Sequence, residues 1–146
     1  MDRTSSTTEG GVLLALDVGA ARIGVATTSV GVAIARPLTA IQHDDAVMQT
    51  IAELVADSQA TAVVVGLPRG LNGQDTEQTK TVETFAEQLK TTLSVPLFWQ
   101  DEALTSQKAE EELKSRGKPY EKGDIDALAA CYILEDYLNS QEHTQI

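Results

Sequence analysis

The sequence predicts an α/β domain built on a mixed five-stranded sheet: three antiparallel strands first, parallel crossovers after them, and helices packed on the faces. Three observations carry this expectation. Leu13 to Ala26 reads L-L-A-L-D-V-G-A-A-R-I-G-V-A, two apolar runs around the single carboxylate Asp17. A strand that is apolar on both faces belongs in the middle of a sheet. Three strand-like stretches then follow one another with little between them. After residue 42 helical stripes alternate with apolar runs, the pattern of parallel crossovers.

Val12 to Val18 is the first expected strand, Arg22 to Thr28 the second and Val32 to Ile41 the third. Ser29-Val30-Gly31 supplies a tight turn, and Pro37 marks an edge or a kink. Asp44 or Asp45 can cap a helix in which Val47, Ile51, Leu54 and Val55 fall at helical spacing. Thr61 to Leu67 is a valine-rich buried strand, and Pro68 to Gln74 is a glycine-containing loop. Asp75 with Gln78 resembles a capping box for a helix carrying Val82, Phe85, Ala86, Leu89 and Leu93 on one stripe. Val95 to Gln100 is the last strand and runs into Asp101-Glu102. Thr105 or Ser106 caps the next helix, which stops at Gly117, and Asp124 opens the final one, with Ile125, Leu128, Ala129, Tyr132 and Ile133 on its apolar face.

A chain of 146 residues with 42% hydrophobic residues can bury one full core. One domain over residues 12–139 is expected, with flexible tails at 1–11 and 140–146. The chain has no window of membrane-spanning apolarity and no signal-peptide pattern, and its one cysteine, Cys131, fits a reducing cytoplasm and a buried structural position. The formal net charge of −11 argues against a generally basic nucleic-acid surface. It leaves open a local patch or a metal bridge. Lys108, Lys114, Arg116, Lys118 and Lys122 are five of the eleven basic residues and fall in one segment, interleaved with Glu110, Glu111, Glu112 and Glu121.

The chemistry centres on acids. Asp17 sits in the central strand, where it either caps the turn at Gly19 or serves a site. Asp101 and Glu102 stand at the carboxyl end of the last strand, where open α/β sheets place ligands. Asp126 lies in the first turn of the last helix and faces inward with Ala129, Ala130 and Ile133. If the first and last strands end near each other, Asp17, Glu102 and Asp126 converge. Three such carboxylates call for a cation, and hard oxygen donors select Mg²⁺ or Mn²⁺, the ions of phosphodiester hydrolysis. Arg22, Arg69 and Lys108 are candidates for substrate contact, with tying down the Gly19 turn an equal reading for Arg22. Trp99 is a core aromatic or a base-stacking one. His43 and His143 are isolated, and no P-loop or zinc spacing occurs.

L-A-L-D-V-G-A-A-R-I-G-V-A, V-V-V-G-L-P-R-G-L-N-G, D-E-A-L-T-S and I-D-A-L-A-A together resemble the YqgF family, the RuvX-type Holliday junction resolvases or pre-16S rRNA nucleases. The resemblance spans Leu13 to Leu138 with all four blocks in order. It implies an RNase H-like fold and a metal-dependent nuclease that processes the 5′ end of 16S rRNA on structured RNA or pre-ribosomal particles. Branched DNA is the older proposed substrate, and a monomer or a homodimer is compatible with either. Carried over by position, the family's acidic site falls on Asp17, Glu102 and Asp126. Ala103 stands where the family's D-E-R block has arginine. Two further classes compete with the nuclease: a non-catalytic rRNA-binding assembly factor on the same fold, and a nucleotide-binding unit of the sugar-kinase or Hsp70 type. The second needs two such domains, and this chain supplies one.

Overall fold

Side chains alternate across a strand, so the first apolar run must meet two different cores. In the computed structural model it does. The structure describes residues 11–29, 31–102 and 105–146. The tail expected over residues 1–10, Val30 of the expected turn, and Ala103 therefore lie outside the described residues. Strand β1 (Val12–Val18) sends Leu14, Leu16 and Val18 to one core and Leu13 and Ala15 to the other. Asp17 continues the second set and points to the same face.

Strands β2 (Arg22–Ser29) and β3 (Val32–Gln42) complete an antiparallel meander, and β4 (Ala60–Pro68) and β5 (Leu97–Glu102) join in parallel on the other side of β1. The sheet order is β3-β2-β1-β4-β5-β6, which puts β1 in the interior. Pro37 lies in an edge strand, at a register shift opposite Ala26, where its missing N–H costs no interior ladder bond. Helices α1 (Val47–Ser58) and α2 (Glu77–Thr92) cover one face. Helices α3 (Thr105–Ser115) and α4 (Lys122–Asn139) cover the other. No helix among the described residues is long and apolar enough to cross a membrane.

Four local expectations are corrected. The sheet has a sixth strand, β6 (Thr144–Gln145), in the segment expected to be a flexible tail. It pairs with Phe98 and Trp99, Ile146 N–H donates to the Leu97 carbonyl, and the His143 ring stacks on Tyr137 at 3.7 Å. Asp44 does not cap α1; its Oδ1 accepts from Ala46 N–H at 3.0 Å in the turn before, and Ala46 is the N-cap. The box that opens α2 is Thr76 with Thr79, not Asp75 with Gln78, because Asp75 is held by Arg69. Helix α4 starts at Lys122, and Asp124 closes its first turn by accepting from Glu121 N–H at 2.9 Å.

The middle of α4, Ala127 to Leu134, is buried on all sides, between the sheet and α3. Its small residues let it lie close to the strands. An ideal Cβ built on Gly24 would stand 1.9 Å from the Asp126 carbonyl oxygen, and one on Gly66 would stand 2.4 Å from Ile133 Cδ1. Only glycine fits at Gly24, where the opposing atoms are helix backbone, whereas a methyl at Gly66 would displace the end of the Ile133 side chain. The Gly24 contact fixes where the first turn of α4, and with it Asp126, meets the sheet.

Candidate active site

Asp17 stands opposite Gly24 on β2, one residue beyond the Leu16–Val65 pair that joins β1 to β4. Gly66 on β4 is paired with Gln100 on β5. The central acid is thus flanked by glycine on β2, and the glycine on β4 is covered by Ile133. Strands β1 and β5 are not neighbours, as the simplest convergence would have it. Between their carboxyl ends lies one cleft of about 410 Å³, which Gly66 and the Ile133 side chain packed on it also line. Asp17, Glu102 and Asp126 all line it, with Arg69, Gln78 and Thr105.

The three acids share the cleft without closing into a cage. Among the described residues no group of three His, Cys, Asp or Glu side chains is placed to hold a metal ion. Two of the acids are drawn aside. Arg22 Nε donates to Asp126 Oδ2 at 2.5 Å. Glu102 is engaged by Asp136, a neighbour the sequence reading missed. Asp136 lies nearly three turns beyond Asp126 on α4, and its tie to Glu102 at the end of β5 is tertiary, so no local pattern could have shown it.

The electrostatics follow from this crowding. Burial first, and the charge of Asp126 second, push Asp17 up to about 6. Burial, then the hydrogen bond and charge of Asp136, push Glu102 up to about 9, against the pull of Lys108. Glu102 Oε1 is buried with no hydrogen-bond partner among the described residues. Both acids therefore bind protons more tightly folded than unfolded. Their contribution to stability is present at low pH and is lost as pH rises through about 6 for Asp17 and about 9 for Glu102. In chelator, the urea midpoint is expected to fall between pH 5.5 and 9. Glu102→Gln should flatten the upper part of that fall, and an equal slope in the variant would contradict the assignment.

The basic candidates are placed differently. Arg22 sits at the rim, joined to two lining residues: to Asp126 by its side chain and to Gly19, whose N–H donates to the Arg22 carbonyl at 3.0 Å. Arg69 lines the cleft, with its guanidinium on Asp75 and, at 3.4 Å, on Asp101. Lys108 Nζ lies 4.6 Å from the centre of the Tyr132 ring. Trp99 packs on the far core, away from the acids. His43 supports the site from behind: its Nδ1 is 2.6 Å from the Gly19 carbonyl oxygen and its ring meets Phe85 edge-on. Cys131 is buried, which pushes its thiol up to about 11 and removes it as a nucleophile.

Comparison with known proteins gives the family. The family model RuvX, described as Holliday junction resolvase, matches residues 11–140. A Chloroflexus aurantiacus protein named "Putative pre-16S rRNA nuclease" is 42% identical over 134 residues, 89% of this chain and 88% of that one. A Thiobacillus denitrificans protein of the same name is 39% identical over 135 residues, 90% and 93% of the two chains. Among solved structures, T. thermophilus RuvC in complex with a Holliday junction substrate superposes with a TM-score of 0.59 at 17% identity, covering 93% of this chain and 99% of that one. The structural likeness shows the fold, which is the RNase H-like one. The family match and the two relatives show more: the chain belongs to the RuvX family.

Proposed function

We propose that the protein is a metal-dependent nuclease that hydrolyses phosphodiester bonds in structured RNA, acting in the maturation of the 16S rRNA 5′ end in the cytoplasm. One observation supports the reading above the others. Three carboxylates from β1, β5 and α4 line one cleft, and one of their oxygens, Glu102 Oε1, is buried there without a partner among the described residues. A buried oxygen without a partner is costly unless something binds it. The donor set is all carboxylate oxygen, which suits Mg²⁺ or Mn²⁺, so the residues fit the ions that the family implies.

Asp17, Glu102 and Asp126 are the ligands in this reading. If they held divalent ions, these would supply an acidified water and charge neutralisation at the phosphate. The chain's own residues do the rest. Gly24 and Gly66 seat α4 so that Asp126 faces Asp17. His43 and the Arg22 carbonyl hold the Gly19 turn that follows Asp17. Arg69 and Lys108 place positive charge beside the cleft, and Arg22 does so at its rim. Glu102 must lose its proton to act as a ligand, so activity rises with pH until a cation replaces that proton.

The test is cleavage of a precursor 16S rRNA fragment, with Mn²⁺ and with chelator, beside a four-way DNA junction. RNA cut only with Mn²⁺ is the expected result. Cutting of the junction alone would move the substrate to branched DNA, in line with the name of the family model. RNA binding without any cleavage would favour an assembly factor.

A further inference from the structure

We propose that Arg22 is a latch shared between Asp126 and the substrate. It holds the Asp126 carboxylate while the cleft contains no nucleic acid, and passes to a backbone phosphate when a strand enters. The proposal rests on the nuclease reading above and gives one of its residues a second position.

Both ends of the pair are anchored, so only side chains can move. The Arg22 backbone is the first rung of β2, paired with Gln42, and its carbonyl accepts from Gly19 N–H. The Asp126 backbone is pressed on Gly24. Between these fixed points the guanidinium reaches the carboxylate at 2.5 Å, and its side chain keeps 30% of its surface in solvent against 18% for Asp126. Arg22 can therefore be approached from outside while its partner is covered. Among the described residues its side chain has one ion-pair partner, whereas Arg69 has two, Asp75 and Asp101, and Lys108 is spread over Tyr132.

A guanidinium fork recognises a carboxylate and a phosphate by the same geometry. An entering phosphate thus competes for Arg22 on equal terms. Asp17 repels Asp126 across the cleft, which keeps the Asp126 carboxylate on the Arg22 guanidinium until a phosphate draws that guanidinium away and a cation offsets the freed charge. When Arg22 turns outward, Asp126 Oδ2 is free to join Asp17 and Glu102. The three acids would then assemble as a set on substrate; among the described residues they form no such group without it. Such coupling is reciprocal: whatever releases Arg22 from Asp126 also strengthens its grip on phosphate.

The experiment needs no metal. The affinity of a fluorescent single-stranded RNA oligonucleotide is measured by anisotropy in chelator for the full-length wild type, Asp126→Asn, Arg22→Gln and the double variant. Asp126→Asn should tighten binding about tenfold by freeing Arg22, a coupling of ordinary size. In the Arg22→Gln background the same change should have less than about a twofold effect. Arg22→Lys, which keeps the charge without the fork, is a second background in case the glutamine variant does not fold, and should also lose most of the gain. Equal tightening in every background would reduce the effect to plain loss of negative charge and overturn the latch, as would no tightening in the Arg22 background. If no form binds RNA even with Mn²⁺, the nuclease reading itself fails, and the latch with it.

Discussion

Asp17→Asn is expected to abolish cleavage and, in the same protein, to raise stability. Activity should fall by a factor of about a hundred or more, the usual cost of removing one charge-stabilising group from a reacting centre. The stability gain follows from burial. Folding raises Asp17 from 3.8 to about 6, so above that pH the folded protein carries a charge that the site disfavours. Asparagine keeps the shape without the charge. In chelator the variant should be more stable by up to roughly 3 kcal/mol at pH 8, and by almost nothing below about pH 3, where the aspartate is protonated both folded and unfolded. Urea unfolding at the two pH values, beside the cleavage assay, checks both parts. A variant that loses activity and stability together would show that Asp17 is a structural cap.

Gly24→Ala should produce the largest loss of stability of any single methyl added to the sheet. The new Cβ would lie 1.9 Å from the Asp126 carbonyl oxygen and 3.0 Å from the Ala127 nitrogen. These are backbone atoms of a helix buried against the sheet, so no rotamer change relieves the overlap. Helix α4 must lift or β2 must bend, at a cost of about 3 kcal/mol or more. The lift also carries Asp126 away from Asp17, so the variant should lose activity beyond what its remaining folded fraction explains. Gly73→Ala is the control. Its φ is +80° and no atom lies within 4 Å of the added carbon, so only the ordinary strain of about 1 kcal/mol is expected.

The sheet and its order of assembly were legible in the sequence because periodicity and burial agree. The two-sided apolar run of β1 belongs to an interior strand, and the meander and the crossovers follow from element order. What stayed hidden was tertiary. The sixth strand is a two-residue bridge whose pairing with Phe98 and Trp99 leaves no local pattern. The caps of α1, α2 and α4 shifted by a few residues because several acids compete for each role, and distant partners decide: Asp75 goes to Arg69, which leaves Thr76 to cap.

For the site, Asp17, Glu102 and Asp126 could be singled out by position within their elements, and all three line the cleft. The glycines could not be read correctly from spacing. Spacing does not show that the backbone of α4 packs on Gly24. Asp136 and the His43 contact to Gly19 depend on elements far apart in the chain. The net charge of −11 also takes on a different meaning. Within the cleft it is a concentration of carboxylates that a pair of divalent ions would offset, so nucleic-acid affinity should depend on metal more than on surface lysines.

Diffraction from a crystal soaked in Mn²⁺, collected at the manganese absorption edge, shows whether the acids of this cleft hold divalent ions. An anomalous peak within bonding distance of Asp17 and Glu102 is the predicted result. A cleft free of such a peak at millimolar Mn²⁺ and pH 8, with or without bound RNA, would contradict it.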